Sequence, residues 1–189
     1  MTVGATCTLF NASHVAIPNG SGVTGSDGMV NLSNVVIPTG FIYSKCTGGY
    51  YIDEATGIST SAPHLHAGMI YSGTGNVILV PSPLSEIAYH LAGSNSGNTS
   101  TIAEVIGVKN ALVAKAFGMS SVDLIATIPT NINTTKAAND DAGKFGSVLA
   151  AISQMGKNSG DANPEGTINA LVADMQGTDG SAIGTIEGR

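Results

Sequence analysis

The fold is decided by two segments, Cys46-Thr-Gly-Gly-Tyr-Tyr-Ile-Asp-Glu-Ala-Thr-Gly57 and Pro81-Ser-Pro-Leu-Ser-Glu-Ile-Ala-Tyr-His-Leu-Ala92. The first lies in a region of short β-patterned runs separated by turn residues. The second begins a region where apolar residues have the spacing of helices. Neither segment contains a recognisable catalytic constellation. The sequence therefore predicts a strand-rich part, then a helical part, in a protein that is not an enzyme.

The N-terminal part reads as six short strands. Its turn signals, such as Pro18-Asn-Gly20 and Ser26-Asp-Gly28, recur about every ten residues, as in antiparallel all-β domains. We expect an antiparallel β-sandwich of the immunoglobulin or transthyretin type that spans residues 1–80. The predicted strands cover residues 5–10, 29–32, 41–46, 50–53, 64–71 and 76–80.

Four short helices are predicted between residues 81 and 178, because apolar residues recur there at intervals of three and four. Small residues on the apolar stripes allow close mutual packing. The fold class is therefore expected to be α+β, with a small helical bundle packed on or beside the sandwich. The expected helix starts are Ser82, Thr101, Thr135 and Asn163, and the expected glycine ends are Gly93, Gly118 and Gly177.

Charge and hydropathy exclude two classes of partner. Charged residues make up 11% of the chain and the formal net charge is −6. Nucleic-acid-binding proteins need a basic patch, which seven scattered lysines and arginines cannot make. No apolar run approaches the roughly 18 residues of a membrane span. We therefore expect no nucleic-acid partner and no direct insertion into a membrane.

Two cysteines, Cys7 and Cys46, each lie in a β-patterned segment. This arrangement predicts a disulfide formed in an oxidising compartment. The alternative is two buried free thiols. A bridge would close a loop of about forty residues and contribute about 4 kcal/mol in the chain-entropy account.

The chain ends in Ile186-Glu-Gly-Arg189, which matches the recognition sequence of the protease factor Xa. We therefore expect residues 179–189 to be linker and tag. The natural flanks, including any secretion signal, are then expected to be missing.

His64 and His66 form a candidate metal site. The two residues are two apart in a predicted strand, so both rings project from one face, and such a pair can chelate zinc or copper. A third ligand, His90 or His14, would have to come from elsewhere in the fold. The alternative is two surface histidines that bind no metal.

Asp53 and Glu54 are the nearest approach to a carboxylate pair. Adjacent strand residues point to opposite faces, so the two cannot act together as acid and base. If the segment is a turn, their oxygens can join backbone carbonyls in a calcium site. The alternative is that Asp53 accepts hydrogen bonds from nearby backbone amides and fixes the loop through Gly57. No other cofactor is expected.

Several short motifs carry a resemblance to a known family when they are taken in order. They are Gly4-Ala-Thr-Cys-Thr-Leu9, Gly25-Ser-Asp-Gly28, the segment from Cys46 to Gly57, Pro83-Leu-Ser-Glu-Ile-Ala88 and Gly146-Ser-Val-Leu-Ala-Ala-Ile-Ser153. The chain resembles the carboxypeptidase-regulatory-like β-sandwich domains, with their following helical region, of large bacterial surface proteins and lipoproteins. The resemblance implies an extracellular, non-enzymatic part of a longer protein and supplies no catalytic residues.

Together these observations predict a structural or adhesive module of an exported bacterial cell-surface protein. Its expected partners are the neighbouring domains of a longer parent protein, or further copies that assemble through a sheet edge. Two alternatives remain open. One is a metal-binding module that uses His64 and His66, and the other is a hydrolase whose catalytic triad is not visible in the sequence.

Overall fold

The computed structural model describes residues 1–93, 99–161 and 164–176, and it is an α+β structure, as predicted. Strands come first along the chain and helices follow. The strands are β1 (Thr6–Asn11), β2 (Ala16–Val23), β3 (Gly40–Thr47), β4 (Tyr50–Ile52), β5 (Ser59–Ser61) and β6 (Leu65–Tyr71). The helices are α1 (Pro83–Leu91), α2 (Thr99–Ala116), α3 (Asp141–Ser159) and α4 (Pro164–Gln176).

The main sheet has four antiparallel strands in the order β2-β1-β3-β6. Strands β4 and β5 form a separate two-stranded sheet. In the part of the chain that the structure describes, no second sheet closes a sandwich over the first. The predicted sandwich is therefore wrong in its second layer, because helices cover one face of the sheet instead.

One face of the main sheet packs on helices α1 and α2. Phe41 and Tyr43 of β3 share an apolar cluster with Tyr89 of α1 and with Ile102 and Ile106 of α2. All five side chains are at most 5% exposed. The burial of these side chains fixes the two helices against the strands, since each large apolar side chain contributes about 1.5–3 kcal/mol.

The opposite face carries the predicted disulfide, which is confirmed. Cys7 of β1 and Cys46 of β3 are directly opposite each other in the register and are joined by a disulfide. The loop of residues 24–39 places Val30 and Leu32 on this face beside Gly22, where a side-chain carbon would lie 2.4 Å from Val30 and 3.1 Å from Leu32. Disulfides are typical of oxidising compartments, and a loop of this length contributes about 4 kcal/mol in the chain-entropy account.

Two predicted strands, residues 29–32 and 76–80, are not strands, and two real ones, β2 and β5, were missed. Residues 29–32 lie in the loop over the sheet. In segment 76–80, the Val80 N–H donates to the Ile125 carbonyl instead of pairing with a neighbouring strand of the sheet. Pro18-Asn-Gly20 was interpreted as a turn but lies inside β2, since an edge strand tolerates proline.

The helices agree more closely with the sequence. Ser82 caps α1 and exchanges hydrogen bonds with Ser85, and Pro83 begins the helix. Helix α3 begins at Asp141 rather than near Thr135, because Asp140 accepts the Gly143 N–H and caps it there. The expected cap at Asn163, the Thr101 side chain and the tag at 179–189 lie outside the described residues.

The helices share one large core. It joins all four helices to the first residue of β6. Its members include Leu65, Leu84, Val113, Phe145 and Leu171. The predicted boundary between residues 80 and 81 separates strands from helices, and the core extends across it. Among the described helices, none is long and apolar enough to cross a bilayer.

Candidate functional site

The most unusual polar group is Glu86 of α1, which is 5% exposed. Its carboxylate accepts a hydrogen bond from the backbone N–H of His66 in β6. The Nδ1 atom of His66 lies 2.9 Å from Oε2, and Nε2 of His90 lies 3.0 Å from Oε1. These residues, together with Ser85 of α1 and Asn110 of α2, form a contact between the helices and β6 that we call the seam.

The surroundings of Glu86 stabilise the ionised form of its carboxyl group. Burial by itself would raise the pKa of this carboxyl, but hydrogen bonds from His66 and His90 and the charge of His66 outweigh burial and lower it to about 2. The carboxylate is therefore ionised at neutral pH. Each imidazole nitrogen that faces it acts as a donor, because an ionised carboxylate only accepts.

The seam also occupies the outer edge of β6 at His66 and Gly68. The Ser85 hydroxyl donates to the His66 carbonyl at 2.7 Å, and Asn110 Nδ2 of α2 donates to the Gly68 carbonyl at 3.1 Å. Together with Glu86, these side chains satisfy backbone groups that point away from β3. This part of the edge is therefore not available to another strand.

An aromatic network surrounds the seam. The rings of His66 and Tyr89 stack with centroids 4.5 Å apart, and Tyr43 lies 5.5 Å from Tyr89. Nδ1 of His14 lies 2.7 Å from the Tyr43 hydroxyl. Burial raises the pKa of both tyrosines, so their hydroxyls stay protonated. Three of the four histidines thus lie in one network with the buried carboxylate.

The two histidines of the candidate metal pair have different surroundings. His64 is exposed and precedes β6, whereas His66 lies in β6 with its Nδ1 bonded to Glu86. His14 contacts Tyr43, and His90 contacts Glu86. In the described ranges, no group of three or more histidine, cysteine, aspartate or glutamate residues could hold a metal ion. A metal site at His64 and His66 stays a prediction.

Asp53 fixes the loop between β4 and β5. Its Oδ1 accepts the N–H of Thr56 at 2.8 Å and that of Ala55 at 3.2 Å, which is the turn expected from the sequence. Its Oδ2 accepts the Ser153 hydroxyl of α3 at 2.6 Å. Burial tends to raise the pKa of Asp53, but these bonds from Ser153, Thr56 and Ala55 lower it.

Glu54 is in a different environment from its neighbour. Burial raises the pKa of the Glu54 carboxyl, and the charge of Asp53 adds to the rise. The structure therefore gives the two carboxyls opposite pKa shifts. The calcium site at Asp53 and Glu54 stays a prediction.

Two depressions lie away from the seam. A cleft of about 200 Å³ separates the β4–β5 hairpin from α3 and α4, and its lining includes Tyr51, Asp53 and Asp161. A solvent-open depression of about 430 Å³ is lined by residues such as Phe117 and Val148. None of the four histidines lines either one, so the imidazoles and Glu86 face no substrate-sized space there.

One part of the seam was visible in the sequence. Glu86 and His90 are four apart on a predicted helix, which is the spacing of neighbouring side chains. The contact of Glu86 with His66 spans 20 positions and depends on how α1 docks on β6. Sequence reasoning therefore missed Glu86, Ser85 and Asn110 as partners of the sheet edge.

Comparison with protein-family models, with curated proteins and with solved structures found no match.

Proposed function

We propose that this chain is a non-catalytic structural module of an exported bacterial cell-surface protein. In this role it spaces neighbouring domains of a longer parent protein and offers a surface for contact with other proteins. The resemblance to carboxypeptidase-regulatory-like domains of bacterial surface proteins motivates the assignment to an exported parent. In this proposal, the buried glutamate and its histidine partners stabilise the fold and do not catalyse a reaction.

The proposal depends mainly on the hydrogen bonds that Glu86 accepts. A buried carboxylate that is hydrogen-bonded to an imidazole is also part of the Ser-His-Asp catalytic triad. Here the carboxylate also accepts the backbone N–H of His66, so it serves as a link between α1 and the edge of β6. Asp53 links the β4–β5 hairpin to Ser153 of α3 in a similar way.

The disulfide and the composition support the exported location. Cys7 and Cys46 join two neighbouring strands at the start of the chain. Disulfides persist in extracellular and periplasmic proteins and are rare in reducing compartments. Only 11% of the residues in the chain are charged, so the protein should be little affected by changes in ionic strength.

The structural role predicts that the sheet and the helices unfold as one unit. Guanidinium unfolding would be followed by the fluorescence of the five tyrosines, four of which lie in strands, and by circular dichroism at a helical wavelength. We expect coincident transitions. Two separate transitions would show that the sheet and the helices are independent units, and the proposed rigid spacer would be wrong.

The two alternatives are tested on the same preparation. Calorimetric titration with zinc, copper and calcium ions tests the metal-binding module, with His64→Ala and His66→Ala as site variants. A broad ester and peptide substrate screen tests the hydrolase. Saturable metal binding lost in both variants, or turnover that copurifies with the chain, would replace the structural proposal.

A further inference from the structure

The two edges of the main sheet differ in what covers them. The outer edge of β6 is occupied by Glu86, Ser85 and Asn110, as described above. The opposite edge is β2, and within the described residues no strand pairs with it on the side away from β1. If the sheet pairs with another strand, β2 is the edge that can accept it.

The hydrogen-bond pattern shows which groups of β2 point outward. Cys7 of β1 is opposite Gly22, and the Thr24 N–H donates to the Ala5 carbonyl at 2.9 Å. Backbone groups alternate between the two sides of a strand, so those of Ser21 and Val23 point away from β1. Both residues are exposed, with Val23 61% exposed.

Only the second half of β2 has regular edge geometry. Pro18 has no N–H to donate, Asn19 has a φ of 59°, and the register with β1 shifts between Thr8 and Phe10. The usable edge is therefore residues 20–23. Strand β2 contains no charged residue although the chain carries a net charge of −6, so two copies of this edge can approach without close like-charge repulsion.

We propose that the outer edge of β2 pairs antiparallel with β2 of a second copy of this chain. The proposal rests on the proposed structural role and names its partner. In the symmetric register Ser21 of one copy faces Val23 of the other, and Gly22 lies next to the two-fold axis. The contact is self-complementary, since each outward backbone group of Ser21 meets one of Val23.

The geometry also limits the size of the assembly. A two-fold contact uses β2 of both copies, and side chains of α1 and α2 occupy the edge of β6 at His66 and Gly68. Assembly therefore stops at two copies instead of extending into a fibre. The short paired segment makes the dimer weak and dependent on concentration.

The test is analytical ultracentrifugation of the full chain from about 10 µM to 1 mM, a range suited to small interfaces. We expect the mass to rise from one copy to two and no further. Amide hydrogen exchange at Ser21 and Val23 should slow over the same concentration range. A mass of one copy at all concentrations, or species larger than two copies, would overturn the proposal.

Two variants locate the interface. Ser21→Pro removes an outward N–H and leaves the inward bonds of Gly22 in place, and Val23→Lys puts a charge on the edge. Each should weaken association at least about tenfold, the effect of losing about 1.4 kcal/mol. Val36→Lys is the matched control, because Val36 is 86% exposed in the loop of residues 24–39. A dimer that persists in Ser21→Pro, or is lost equally in Val36→Lys, would disprove the β2 contact.

These outcomes separate the dimer from the structural role. A strictly monomeric chain with coincident unfolding transitions would disprove only the dimer. A dimer whose sheet and helices unfold separately would disprove only the rigid module.

Discussion

Two carboxylates join a strand region to a helix in this protein, and they do so in different surroundings. Glu86 is 5% exposed and accepts N–H donors from His66 and His90. Asp53 is only partly buried and accepts the Ser153 hydroxyl along with donors from its own loop. Loss of a hydrogen-bond donor should therefore destabilise the fold more at Glu86 than at Asp53, because water can replace the lost partner at the more exposed carboxylate.

The two links also hold regions of different size. Glu86 attaches α1 to the four-stranded sheet, next to the apolar cluster of Phe41, Tyr43 and Ile106. Asp53 attaches the small β4–β5 hairpin to α3. We therefore expect the Glu86 link to break together with the whole fold and the Asp53 link to open locally.

The largest expected effect is that of Glu86→Gln. A glutamine offers one acceptor oxygen and places an NH₂ group against a donor, so a buried N–H of His66 or His90 loses its partner. We expect the free energy of unfolding to fall by about 3–4 kcal/mol, measured by guanidinium denaturation at pH 7.

Glu104→Gln is the matched control, because Glu104 is exposed on α2. Its effect should stay within about 0.5 kcal/mol. Equal losses in the two variants would show that burial does not distinguish the Glu86 link.

The next effect is acid destabilisation through Glu86. The pKa of this carboxyl is lowered from 4.5 to about 2 in the folded protein. Its contribution is present above pH 4.5 and is lost as the pH falls toward 2, because the unfolded chain takes up the proton first. The size of this contribution is about 3 kcal/mol.

Measuring unfolding of the wild type and of Glu86→Gln between pH 6 and pH 2 checks this window. The stability gap between the two proteins should narrow as the pH falls. A gap that stays constant would mean that the carboxylate charge is not what stabilises the seam.

The sequence predicted those parts of the comparison that are local in the chain. The cap of α1 at Ser82 and the turn formed by Asp53 depend on residues within four positions of each other, so their chemistry can be read directly. The disulfide is an exception, since its cysteines are 39 positions apart; it was predicted because Cys7 and Cys46 each lie in a β-patterned segment.

The rest depends on docking between distant elements. His66 meets Glu86 across 20 positions, and Asp53 meets Ser153 across 100. No periodicity encodes which helix lies on which edge of a sheet. The wrong prediction of a sandwich has the same cause. Runs such as residues 29–32 and 76–80 have the residue pattern of strands, but whether they pair depends on the neighbours that the fold provides.

A smaller effect is expected from Ser153→Ala on the Asp53 side of the comparison. The change removes the hydroxyl that donates to Asp53 and accepts the Ala55 N–H at 3.1 Å. Water can reach this partly buried site, so we expect a loss of about 1 kcal/mol. Hydrogen exchange should speed up at Ala55 and Thr56 with little change in the sheet.

Ser147→Ala is the control on the same helix, since the Ser147 hydroxyl donates to the Gly143 carbonyl within α3 and no bond from it to the β4–β5 hairpin occurs among the described residues. It should leave the exchange rates of Ala55 and Thr56 unchanged. Faster exchange throughout the main sheet in Ser153→Ala would mean that the hairpin link is not local.

The smallest effect is expected from Lys157→Met, which tests the outermost contact of the hairpin. Lys157 is exposed, and its Nζ donates to the Ala55 carbonyl at 2.9 Å. Because water can solvate both groups, the free energy of unfolding should change by no more than about 0.5 kcal/mol. Lys136→Met is the control for the lost charge, since Lys136 is also exposed. A larger loss in the free energy of unfolding in Lys157→Met than in Ser153→Ala would mean that the ammonium group, and not Asp53, mainly holds the hairpin. The two carboxylates would then not be the groups that join strands to helices in this fold.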